Sequence, residues 1–150
     1  MSSDDAGEEA LLRLIEDGVS ASATALGEVS KTSWLTQTVS INADGVEGMR
    51  SRMAADQETY YGSYLSMSGA IFMFIVPQKR GAALSRAFLG ERGMRAGILM
   101  PQDDECIAEI SNIVVHAIVN SLANACGESF IISAPQMLVD KKPALLASAI

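Results

Sequence analysis

The chain has 150 residues, with 49% hydrophobic and 19% charged content, enough for one compact domain rather than a disordered segment. Its formal charge of −7, with 11 Lys and Arg that do not gather into a run, argues against nucleic acid and favours basic or metal-bearing partners. The longest apolar run, Ala70–Pro77, is far short of the roughly 20 residues that span a bilayer. The acidic amino terminus, MSSDDAGEEA, has neither the basic nor the apolar region of a secretory signal, so a cytoplasmic address is expected.

Residues 8–29 read as an amphipathic helix, because Leu11, Leu14, Ile15, Val19, Leu26 and Val29 recur at three and four; Gly18 weakens the pattern locally. The stretch SWLTQTVSI, residues 33–41, alternates with Leu35, Val39 and Ile41 on one side and predicts a half-buried strand. Asn42–Gly45 has turn chemistry, and residues 46–58 read as a loop with a short helix. TYYGSYLSMS and AIFMFIVP, on either side of Gly69, predict an antiparallel hairpin whose second strand is apolar on both faces. Arg80–Leu89 is expected to be a short helix stopped by Gly90, followed by a polar link to residue 104.

From Asp103 or Asp104 to Gly127 the sequence predicts one long helix, and Glu128–Ala134 a strand that Pro135 ends. On that helix Glu105, Glu109, Asn112, His116 and Asn120 fall within a sector roughly 80° wide. Ile107, Ile110, Val114, Ile118 and Leu122 take the opposite side. Val115 and Val119 flank the polar stripe, and aliphatics ringing a polar stripe suit a docking face. Asn is a poor choice for a helix interior, since its amide competes for backbone hydrogen bonds.

Cys106 and Cys126 lie about 30 Å apart along this helix and cannot pair there, so both read as reduced packing residues. His116 is the only histidine, which removes any multi-histidine metal site. Neither a P-loop nor a supported Ser/His/Asp or Cys/His set is present. The eight methionines fall largely where core filling is the commoner role, and no cofactor follows from them.

Shifting the chain so that Leu26 falls on Leu122 also pairs Val29 with Ala125, Ser33 with Ser129 and Trp34 with Phe130, bringing helix, break and strand into phase. The same shift sets Arg13 on Glu109 and Glu16 on Asn112, so only the second copy has the Glu/Asn pair.

Glu109-x-x-Asn112 followed at this distance by Pro135 resembles the signature of the CheC/CheX/FliY family of chemotaxis phosphatases. Family members usually have Asp or Ser four residues before the glutamate, where this chain has Glu105, with Asp104 one place further back. The resemblance extends over most of residues 8–145 and implies an α/β (α+β) fold with long helices on a mainly antiparallel sheet, related by a pseudo-twofold repeat. On that reading residues 1–150 are one CheC-like domain, with half-repeats at about 8–90 and 103–150. The second half is read as incomplete, since the counterpart of the hairpin would lie beyond Ile150. Either the chain has been cut short, or an uncovered sheet edge is met by a partner or by a second copy in a homodimer.

The resemblance further implies a hydrolase of two-component signalling that removes the aspartyl phosphate of a CheY-like response regulator. Asn112 would position the attacking water and Glu109 would dock to a lysine on the partner. The protein would need no cofactor of its own, with Mg²⁺ supplied by the regulator. His116 reads either as a partner contact or as an exposed or capping residue, and Glu105 as docking charge or solvated face. Pro135 is assigned to structure. The rival reading is a non-catalytic adaptor whose same helix face binds a response regulator, a motor-switch component or a CheD-like deamidase. A degenerate relative is the third.

Overall fold

A computed structural model of the chain describes residues 3–38, 40–95 and 103–149. Helix α1 spans Ser3–Ser30 and α2 spans Val46–Ala54; strands β1, Thr59–Met67, and β2, Ala70–Pro77, follow. A 3-10 turn at Gln78–Arg80 leads into α3, Gly81–Arg95, and then come α4, Asp103–Cys126, β3, Gln136–Lys141, and α5, Lys142–Ala149. The sheet is antiparallel throughout, in the order β2-β1-β3.

The expected hairpin forms with Met67 opposite Ala70, and Gly69 supplies the positive φ of 80° that the two-residue link needs. Side chains alternate along β1. Ser63, Leu65 and Met67 face α4, where Leu65 packs with Val115 and Val119. On the other face the Tyr64 hydroxyl donates to the Leu145 carbonyl at 2.6 Å, and Lys142 sits 4.8 Å from the Tyr60 ring centroid, so α5 covers that side. Phe72 of β2 joins the core, and burying side chains of this size contributes about 1.5–3 kcal/mol each.

Helix α4 also packs along α1. The buried line of α1 is Gly18, Ser22 and Leu26, one turn apart, and small residues there bring the backbones together. A Cβ on Gly18 would lie 2.6 Å from the Ile118 Cα, which accounts for a glycine in the middle of a long helix. Acidic Asp103, Asp104 and Glu105 occupy the first turn of α4, where the helix dipole favours them. Gly127, at φ 67°, ends it, and the Glu128 amide closes back on the Ala123 carbonyl at 3.1 Å.

Several expectations change. Residues 33–41 form no strand among the described residues, and the place beside β1 is taken by β2 and β3. Leu35 is 96% exposed. The half-buried Trp34 ring N–H donates to Ser30 Oγ at 2.7 Å, tethering the segment to the end of α1. The strand expected at Glu128–Ala134 falls later, at Gln136–Lys141, and Pro135 precedes it instead of ending it. Ahead of Pro135 the chain still runs beside β1, with the Ser133 amide donating to the Ser66 carbonyl and the Ser66 amide to Ser133 Oγ. The β3 register would have set Ser66 against Ala134, so one residue slips at a proline that has no N–H for a ladder. Phe130 and Ile132 pack on the Leu65 cluster while Ile131 is 91% exposed, in the same place after α4 that Leu35 takes after α1.

Helix α3 runs on past the expected stop, but Gly90 breaks its geometry at φ 63° and ψ −176°. Cys126 is exposed and Cys106 buried, so only Cys106 is a packing residue; burial pushes its thiol up and keeps it protonated. By length and composition α4 could cross a bilayer, although no uninterrupted apolar run suggested it. In this fold its apolar sides are turned to β1 and α1.

Candidate functional site on helix α4

With the sheet, α1 and α3 packed against it, α4 keeps one uncovered sector, and the polar stripe lies in it. Glu105, Glu109 and Asn120 are exposed, and Asn112 and His116 are half-buried. Glu109 and Asn112 are three apart, so carboxylate and carboxamide share a face within one turn.

The helix is tied to the sheet at the residue before Asn112. Ser111, fully buried, donates from its hydroxyl to the Ala108 carbonyl at 2.7 Å and lies 2.6 Å from the Ser63 hydroxyl of β1. Since the Ser111 proton is used on Ala108, Ser63 is the donor in that second bond. Strand β1 therefore fixes the rotation of α4 one residue from Asn112.

Val115 and Val119 are not the flanks of a docking face. They are 4% and 2% exposed and form the core with Leu65. The pattern predicts a single core side opposite the stripe, whereas α1, α3 and the sheet all pack on α4, and these valines are its sheet side. Pro135, half-buried ahead of β3, keeps a structural place.

Alongside the stripe the α1–α4 junction opens into a groove of about 610 Å³. Ala21, Ala25, Ile113 and Ala117 line its apolar part, Asp17 and Glu28 stand on its α1 side, and His116 and Asn120 belong to both groove and stripe. The α1 residues were absent from the sequence reading. Alanines recurring four apart beside Gly18 were the signal for them. Among the described residues no set of three or more His, Cys, Asp or Glu side chains gathers as a metal would require.

A three-stranded antiparallel sheet backed by two long packed helices defines an α+β domain. It is the fold of FliY from Thermotoga maritima, whose crystal structure superposes on this chain with a TM-score of 0.69, at 12% identity, over 94% of this chain and 71% of that one. The fold thus agrees with the resemblance carried by Glu109, Asn112 and Pro135. No family model matches the sequence, and no curated protein does.

Proposed function

We propose that this protein is a cytoplasmic chemotaxis phosphatase that hydrolyses the aspartyl phosphate of a CheY-like response regulator through the uncovered face of α4. The observation that supports this reading is the pairing of an exposed carboxylate with a half-buried carboxamide on a helix that the Ser111–Ser63 contact ties to the sheet.

Hydrolysis of an acyl phosphate needs an in-line water and stabilised charge more than it needs a new nucleophile. The Asn112 side chain suits the first task, since its oxygen accepts from a water while its NH₂ donates. Because it has no titrating group it acts by position, and its half-buried setting limits the rotamers it must give up on docking. Glu109, exposed and in no ion pair among the described residues, is suited to pair with a lysine beside the phosphoryl group, which would set the register of Asn112 over the reacting atoms. Mg²⁺ belongs to the regulator, where it offsets phosphoryl charge.

The test is the decay of a phosphorylated CheY-like regulator in Mg²⁺ with the parent protein, Glu109→Ala and Asn112→Ala. Acceleration by the parent that Asn112→Ala loses supports the reading. Binding without acceleration by any of the three replaces it with the adaptor, for which CheD-like and motor-switch proteins are the next partners to try.

A further inference from the structure

We infer that the α1–α4 groove is a second docking surface for the same response regulator, taking an apolar helical ridge flanked by Lys or Arg; the inference rests on the phosphatase reading above. Three features lead there. The groove is open and apolar where α1 presents Ala21 and Ala25, because longer side chains there would fill the space between the helices. Val29, 57% exposed, extends that apolar surface at one end. Exposed apolar surface continuous with a polar stripe is the usual composition of an interface core beside its rim.

The second feature is charge. Among the described residues Asp17 and Glu28 line the groove and no Lys or Arg does, while Glu105 and Glu109 add two carboxylates along the adjoining stripe. Neither Asp17 nor Glu28 has an ion pair among those described. With a net charge of −7, the surface repels another acidic protein and steers a basic one. A second copy of this chain is therefore a poor occupant, and a basic-flanked helix a good one.

The third feature is continuity, since His116 and Asn120 line the groove while standing on the same stripe as Glu109 and Asn112. A partner seated on the Glu109/Asn112 pair reaches the groove without turning.

The groove variants are Ala21→Trp, which fills it from an exposed position, and Asp17→Lys/Glu28→Lys, which reverses its charge. Asp4→Lys/Glu8→Lys makes the same change in net charge away from it. Binding of beryllofluoride-activated regulator is measured for each, together with KM and kcat for dephosphorylation. Both groove variants should raise Kd and KM about tenfold or more and leave kcat within about twofold, while the control matches the parent. Unchanged Kd in both groove variants overturns the proposal, as does an equal loss in the control. A parent that binds the regulator without speeding its decay removes the phosphatase reading and leaves the groove to be judged on Kd alone. A parent that neither binds nor dephosphorylates it overturns both.

Discussion

Ser63 on β1 and Ser111 on α4 meet hydroxyl to hydroxyl at 2.6 Å, each fully buried, and so couple the sheet to the residue beside Asn112. Replacing Ser111 with Ala leaves the Ser63 proton without its acceptor in the core, at a cost of about 1–3 kcal/mol. Removing both hydroxyls should cost less than the two single changes added together, which urea denaturation of the three variants would show. A strictly additive result would mean that the pair is not coupled.

Gly18 makes a second packing prediction. Alanine in a helix interior ordinarily gains about 0.5–1 kcal/mol over glycine. Here the new Cβ would stand 2.6 Å from backbone at Ile118, and overpacking of that kind costs about 1–3 kcal/mol. Gly18→Ala should therefore lower Tm, by about 2–4 °C per kcal/mol lost. A higher Tm would show that the two helices separate freely.

The place of Val115 and Val119 can be tested against their first reading. Val119→Ala should cost about 1–3 kcal/mol, as a core truncation does. Glu109→Ala, on the exposed stripe, should stay within about 0.5 kcal/mol of the parent. Denaturant midpoints separate the two.

A pH dependence follows from Asp56. The Tyr60 hydroxyl, the Glu58 amide and Lys142, 3.1 Å away, hold its carboxyl down from 3.8 to about 2. A carboxyl lowered on folding contributes stability that is complete above its ordinary value and is lost as pH falls through the folded one. Unfolding free energy should thus decline between about pH 4 and pH 2, and Asp56→Asn should flatten that part of the curve. An identical slope in the variant would assign the loss to other carboxylates. The cluster ties the α2–β1 link to the start of α5, so its effect belongs to stability rather than to the site.

The legible parts of this chain were those set by local chemistry. The hairpin at Thr59–Pro77 and the helix ending at Gly127 follow from alternation, from 3.6-residue periodicity and from glycines at positive φ. The pattern at residues 33–41 is as strand-like, but it is β3 that pairs on the second side of β1, and no local signal announces which segment wins that place. Pro135 was seen as punctuation and assigned to the wrong end of the strand, because a missing N–H marks a break in pairing without saying on which side pairing resumes. The stripe from Glu105 to Asn120 was readable as one face. That α4 is covered by the sheet, α1 and α3 is not readable from one helix's pattern, which is why Val115 and Val119 look like flanks of the stripe and the α1 groove leaves no mark.

The role of Asn112 is decided by single-turnover decay of the phosphorylated regulator under saturating parent or Asn112→Ala protein, with Kd determined in parallel. Asn112→Ala should lower the rate about 100-fold while Kd stays within about twofold, as expected for a group that positions the reacting water. Equal rates for the two proteins, or a loss of rate matched by an equal loss of binding, would contradict it.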